Sequence, residues 1–321
     1  MYLEYFGMSK APFQIAPDDR FLYLSPKHAK ALVYMDYAVS QPDGFVIVTG
    51  EIGAGKSTLA KRLLRKVHGR SVCFHLPFTN LKENELLGYL ARQAKIGVSQ
   101  TDKVSLIYAL TDYFKEITSS GMPCILIVDE AQNLNKENLE DIRMLAGLEG
   151  PNGSMLRIIM LGQPEFMNTV NASEQLKQRV KLHYHLSGLN KEEVGQYIRY
   201  RLEVSGTKKL TLFSDDLVES IYKISHGIPR LINKVCDSLL MCAFSENRPK
   251  PLLSDFEEIA QDLMMMPVGN EPEVAKVEEA GDDALIRIAN SLEALNSNIS
   301  RLLLKVDEKK DKTFLGLRAA K

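Results

Sequence analysis

Apolar positions along this 321-residue chain follow three successive patterns. From Gly44 to about Leu186, apolar runs of strand length alternate with stretches in which apolar residues recur every three or four positions. The runs are Phe45–Thr49, Ser71–Leu76, Cys124–Val128, Leu156–Leu161 and Val180–His185. Near-continuous apolar runs separated by helices predict a five-stranded parallel sheet covered on both faces. From Asn190 to about Met265 the pattern is wholly helical, with breaks near Gly206, at Gly227-Ile228-Pro229 and over Arg248–Pro251, which predicts a small α-helical second domain. Pro267–Asp283 is dominated by Pro, Gly and acidic residues and reads as a solvated linker. Beyond it Leu285, Ile288, Leu292, Leu295, Ile299, Leu302 and Val306 alternate spacings of three and four. That seam lasts roughly three heptads, enough for a short coiled coil, and equally fits a lone amphipathic helix folded back on the body.

Composition narrows the class. Hydrophobic residues make up 45% and charged residues 25% of the chain, as in ordinary globular proteins. A net charge of −1 gives no global basicity that would advertise nucleic acid. Cys73, Cys124, Cys236 and Cys242 lack C-x-x-C or zinc spacing and read as small buried hydrophobes in a reducing compartment. Met1–Lys10 carries charges and no apolar h-region, and no window approaches about eighteen uncharged apolar residues, so neither a signal peptide nor a membrane span is read. The expected location is the cytoplasm, or the periphery of the inner membrane.

The chemistry concentrates at Gly50-Glu51-Ile52-Gly53-Ala54-Gly55-Lys56-Ser57, which fits the phosphate-loop pattern G-x-x-x-x-G-K-[ST]. Its glycines let consecutive N–H groups point at phosphates, and the helix continuing from Thr58 to Val67 adds its positive N-terminal end. Lys56 places a point charge on the β- and γ-oxygens, and the Ser57 hydroxyl suits the shell of Mg²⁺. Phe45–Val48 before the loop reads as a buried strand, so the context is strand, loop, helix. A second constellation follows Ile125–Val128, where Asp129 and Glu130 stand at a strand end. Ligands of open parallel sheets sit at carboxyl ends of strands, so this pair faces Lys56 and Ser57. Asp129 fits as a Mg²⁺ partner and Glu130 as the group that polarises the attacking water.

Three more positions extend the pattern. Gln163 stands at the tip of the Leu156–Leu161 strand, where an amide positions γ-phosphate or water. Arg179 precedes the fifth strand near a subunit edge, where a guanidinium delivered in trans stabilises transition-state charge. Arg230 follows Pro229 at the start of a helix, which points it back toward the phosphates.

Taken in order, Gly50–Ser57, Asp129-Glu130-Ala131-Gln132, Leu161-Gly162-Gln163-Pro164-Glu165, Gln178-Arg179 and Gly227-Ile228-Pro229-Arg230-Leu231-Ile232-Asn233 resemble AAA+ ATPases of the ExeA, or general secretion pathway protein A, type. Tyr5-Phe6-Gly7-Met8, Pro12-Phe13, Pro17-Asp18 and Phe21–Ser25 are similar to that family's opening signature. The resemblance covers roughly residues 1–263. It implies a P-loop NTPase αβα sandwich with a helical lid, ATP and Mg²⁺ bound between them, and homo-oligomers such as rings. The organisation expected is a nucleotide-flanking segment at 1–43, the αβα core at 44–189, the lid at 190–266, the acidic linker at 267–283 and an amphipathic or coiled-coil tail at 284–321. Phe13, Ile15 and Tyr23 are candidates to pack near adenine. A transmembrane segment and a peptidoglycan-binding domain belong to ExeA itself and are not read in this sequence. It looks more like the shorter relatives of mannose-sensitive pilus (MshM), exosortase and exopolysaccharide loci.

Lys61, Arg62, Arg65, Lys66, His68 and Arg70 read as the solvated face of the helix after the phosphate loop. His28, His75, His183 and His185 lack metal-ligand spacing, and Met264-Met265-Met266 reads as a helix end. The resulting expectation is an ATPase that energises or regulates an envelope secretion, pilus or polysaccharide system, recruiting partner proteins through its tail. The alternatives are an ATP-dependent DNA-binding transposition regulator resembling TniB and MuB, with nucleic acid the less favoured partner, and a scaffold switched by ATP.

Overall fold

Five parallel strands carry the molecule: β1 (Phe45–Gly50), β2 (Val72–Leu76), β3 (Cys124–Val128), β6 (Leu156–Gly162) and β7 (Val180–Leu186), in the order β2-β3-β6-β1-β7. The computed structural model describes residues 2–14, 18–41, 44–77, 81, 85–97, 102–150 and 153–264. The linker and heptad tail, Ile15, Pro17 and Met265-Met266 lie outside them. All five expected strands form, each within a residue or two of its predicted limits. β4 (Glu149–Gly150) and β5 (Gly153–Ser154) make a small antiparallel hairpin with no apolar run to announce it.

The apolar runs form strands because both faces of the sheet are covered. Phe45 and Ile47 point into one core with α4 (Glu85–Gln93), α5 (Lys103–Ser119) and α6 (Lys136–Ala146). Val46 and Val48 point into the other with α2 (Pro26–Ser40) and α3 (Lys56–Val67). On α3, Leu59, Leu63 and Val67 are buried while Lys61, Arg62, Arg65 and Lys66 are exposed, and Lys66 pairs with Asp36 at 2.6 Å. The basic cluster is therefore a solvent face. Two short helices, α7 (Phe166–Asn171) and α8 (Glu174–Arg179), join β6 to β7.

Four helices follow: α9 (Lys191–Ser205), α10 (Asp215–Ser225), α11 (Pro229–Ser245) and α12 (Leu253–Met264). An Asn190–Glu193 capping box starts α9, and Pro229 occupies the first turn of α11. Gly227 lies at φ +73° between α10 and α11, and its carbonyl accepts the Leu189 N–H at 2.8 Å. A side chain there would overlap the Leu189 backbone, so this glycine lets the helical layer press against the segment that leaves the sheet.

The first part of the opening segment belongs to the helical layer. Phe6, Met8 and Phe13 are buried in the cluster formed by α9, α10 and α11, and α1 (Tyr2–Tyr5) bonds to it through Tyr2 Oη and Asp237 Oδ1 at 2.6 Å. Residues 2–13 are thus structural parts of the helical layer. Helices of 11–17 residues leave an apolar groove, and three buried side chains from the opening segment fill it.

Candidate functional site

The phosphate loop closes on its own lysine. Lys56 is 5% exposed, and its Nζ donates to Gly50 O at 2.5 Å and Glu51 O at 3.0 Å. Burial pushes the ammonium below the ordinary lysine value, while the nearby carboxylates of Glu130, Asp129, Glu51 and Glu165 act in the opposite sense. Phosphate oxygens would reinforce those carboxylates and favour the charged form.

Behind the loop stands His28. Its Nε2 lies 3.0 Å from Ala54 O and its Nδ1 2.8 Å from Ser25 Oγ. A carbonyl only accepts, so Nε2 carries the proton and Nδ1 accepts from the serine hydroxyl. Burial lowers the His28 pKa, which suits this neutral ring. The imidazole is a strut for the loop.

The acidic pair is set by the end of β3. Asp129 N–H donates to Leu76 O at 2.9 Å and extends the ladder one residue, and Asp129 Oδ1 accepts the Glu130 N–H at 3.1 Å. Glu130 then adopts φ +52°, ψ +43°, a left-handed conformation uncommon for glutamate. Its Oε2 accepts from Gln132 Nε2 at 2.6 Å, while Gln132 Oε1 accepts the Gln163 N–H at 3.0 Å. Only this amide orientation satisfies both neighbours. Gln132 thus ties the candidate base to the tip of β6. The sequence shows it only as the last residue of Asp129-Glu130-Ala131-Gln132, with no role attached.

The helical layer supplies the opposite wall. Arg230 N–H donates to Gly53 O at 3.3 Å, and a Cβ on Gly53 would overlap Arg230 Cβ. The start of α11 therefore lies directly on the phosphate loop. Between them opens a cleft of about 350 Å³. Ile52, Gly53, Gly55, Lys56, Ser57 and Thr58 line it from the loop, Glu130 from the sheet, and Pro229 and Arg230 from α11. Its other end is lined by Gln14, Asp18, Phe21, Leu22 and Tyr23 together with Tyr197, Arg201 and Asn233.

Several expected residues lie off this wall. Gly50, Glu51 and Ala54 act through carbonyls that hold Lys56 or meet His28. Asp129 is 5% exposed, one residue before Glu130. Gln163 reaches the site through its backbone N–H. Arg179 ends α8 at the amino end of the sheet, where Val180 pairs with Phe45, whereas Leu186 pairs with Gly50. It stands a strand length, about 20 Å, from its own phosphate loop. Phe13 packs edge-on to Phe213 at 5.8 Å inside the helical layer and does not reach the cleft, whereas Tyr23 does. Outside the cleft, His183 Nε2 and His185 Nδ1 meet Thr49 Oγ1 at 2.8 and 3.2 Å. Among the described residues no group of three or more His, Cys, Asp or Glu is placed to hold a metal ion, and no helix is long and apolar enough to cross a membrane.

Comparison with known proteins agrees with this geometry. Residues 39–170 match the family model described as AAA domain. General secretion pathway protein A of Aeromonas hydrophila is 32% identical over 266 residues, 82% of this chain. The chain spans about half of that relative's length, 48%. Among solved structures, Cdc6p from Pyrobaculum aerophilum superposes with a TM-score of 0.62 at 15% identity, covering 79% of this chain and 73% of that one. The Aeropyrum pernix ORC1 protein in complex with DNA gives 0.59 at 12% identity, covering 79% and 69%. The Thermotoga maritima RuvB Holliday junction branch migration motor gives 0.51 at 14%, covering 79% and 74%. At these identities the solved structures speak for the fold.

Proposed function

We propose that this chain, which carries an AAA domain and is similar to general secretion pathway protein A, hydrolyses Mg·ATP in the cleft between the phosphate loop and α11 and uses the cycle to assemble or regulate a cell-envelope secretion, pilus or exopolysaccharide complex. The observation that carries the hydrolytic part is the convergence of Lys56, Ser57, Glu130 and Arg230 on one cleft, with Asp129 next to Glu130.

The roles follow from position. Loop N–H groups and Lys56 bind the β- and γ-phosphates. The Ser57 hydroxyl and the Asp129 carboxylate offer the hard oxygen donors that suit Mg²⁺, which, when bound, neutralises charge on the terminal phosphates. Glu130, held by Gln132, orients the attacking water and accepts hydrogen-bonding from it. Arg230 reaches the phosphates from α11, so the helical layer registers whether the terminal phosphate is present. Arg179, remote from its own loop, serves the neighbouring subunit of an oligomer.

Phosphate release and nucleotide binding by purified protein test this proposal. Lys56→Ala abolishes ATP binding, whereas Glu130→Gln binds ATP and stops turnover; equal hydrolysis by wild type and Glu130→Gln removes the role given to this carboxylate. The envelope role is tested by recovering envelope components on the full chain and losing them when residues 285–321 are deleted. The exposed basic row of α3 is what favours the DNA-binding alternative. ATP-dependent binding to duplex DNA that weakens steeply with salt would replace the envelope role.

A further inference from the structure

The end of the cleft away from the phosphate loop contains a buried cation that has no counter-charge among the described residues. Arg201, on α9, is 7% exposed and lines that end. Its Nε donates to Pro12 O and its Nη1 to Tyr197 Oη at 2.8 Å. The guanidinium lies 5.0 Å from the Phe21 ring centre and 5.4 Å from that of Tyr197. The Tyr197 hydroxyl in turn donates a hydrogen bond to Asn233 Oδ1 at 2.7 Å. These neighbours fix the group but do not neutralise it, and no carboxylate pairs with it among the described residues. A buried charge left in this condition is unfavourable until an electron-rich partner completes it.

We propose that Arg201 recognises the base by donating from Nη2 to a ring-nitrogen acceptor of a bound purine. The proposal rests on the nucleotide-binding function above. A guanidinium offers five N–H donors and no acceptor; here Nη2 makes no hydrogen bond among the described residues. Purine ring nitrogens carry in-plane lone pairs that such a donor matches, whereas exocyclic amino groups do not. Span agrees as well. Arg230 and Asn233 lie one helical turn apart on α11, about 4.5 Å along its axis, and both line the cleft between the phosphate loop and Arg201. A nucleotide with its phosphates on Lys56 and Ser57 thus extends its base toward Arg201.

The test uses the full chain and equilibrium binding of ATP, its 1-deaza, 3-deaza and 7-deaza analogues, and tripolyphosphate as a base-free probe. Each analogue replaces one ring nitrogen by C–H. Wild type is expected to bind one analogue about tenfold or more weaker than ATP, the loss of a charge-assisted hydrogen bond. Arg201→Gln and Arg201→Lys, checked for folding by circular dichroism, should shrink or erase that difference and leave tripolyphosphate binding within about twofold. A purely structural arginine would not move the analogue ratio. If all three analogues bind wild type as ATP does, a measurement that needs no variant, the proposal is overturned while nucleotide binding stands. A penalty that survives both substitutions also overturns it. Failure of wild type to bind either ATP or tripolyphosphate sinks the nucleotide function itself, and this proposal with it.

Discussion

Gly53 sits at a position where the phosphate-loop pattern accepts any residue, yet the fold permits only glycine. Its φ is +84°, and a Cβ added there would overlap Arg230 Cβ and lie 3.1 Å from Arg230 Cδ and 3.3 Å from Cγ. Gly53→Ala therefore carries two separate penalties. An L-residue in the left-handed region costs about 1–2 kcal/mol. Carbon atoms pack at about 3.5–4.0 Å, so the start of α11 must also withdraw by roughly 1 Å or more. That withdrawal breaks the Arg230 N–H to Gly53 O bond of 3.3 Å and carries the guanidinium away from the place proposed for the terminal phosphate. A displacement of about 1 Å at a catalytic group is enough for roughly a hundredfold loss.

The expected result for Gly53→Ala is a fall of about a hundredfold in steady-state phosphate release, with a lower melting temperature. Arg230→Ala provides the control, because with the guanidinium already absent its displacement no longer costs turnover, even though the retained Cβ still meets the added methyl. In that background the further effect of Gly53→Ala on turnover should shrink to a few-fold, a non-additivity that a double-mutant cycle measures. Turnover within twofold of wild type for Gly53→Ala, with unchanged melting, would refute the claim that α11 presses on the loop.

Gln132→Ala removes the amide that fixes Glu130 Oε2 and should lower kcat about tenfold while ATP affinity holds; a turnover within twofold of wild type counts against that tether. Arg179→Ala should be inactive alone, by up to about a thousandfold, and should regain turnover when mixed with Lys56→Ala, whose intact Arg179 can serve a neighbour. No recovery in the mixture removes the trans role. The His28 pKa is lowered from 6.5 by burial, so the unfolded chain binds the proton more readily and His28 favours the fold above pH 6.5. Stability should decline as pH falls below that value, and His28→Gln should flatten the decline in urea midpoints; an unchanged slope refutes it.

What was legible in the sequence is what adjacent residues settle among themselves. Cys124–Val128 is apolar at every position because both faces of the sheet are covered, and that demand shows as an unbroken run. That Lys56, Ser57 and Glu130 come together in one cleft was legible because the phosphate-loop pattern and the acidic pair each stand at the end of such a run. Gln132 was hidden because its function is a bridge between the acidic turn and β6, and an amide in a turn has no period and no unique spacing. Phe13 could not be separated from Ile15 and Tyr23 as a candidate for a related reason. An aromatic residue before a nucleotide fold suits a base or a core equally, and the outcome depended on the groove that α9 and α10 leave around Phe213.

The unread part of the cleft is held by pairs distant along the chain. His28 meets Ala54 across 26 residues, and Arg201 meets Pro12 across 189. Such pairs have no local signature because each partner's residue type is chosen by a neighbour that folding supplies. Loop closure over these separations is also why they form only once the sheet and α9–α11 are in place. Only the carbonyls that hold Lys56 are its near neighbours along the chain, at Gly50 and Glu51, whereas the other end of the cleft is built by contacts between the opening segment and the helical layer. Anything that shifts α9–α11 relative to the sheet must move Arg201 and Arg230 together, while Lys56 and Glu130 remain with the sheet. A nucleotide bound as proposed would touch both groups and so couple the two layers.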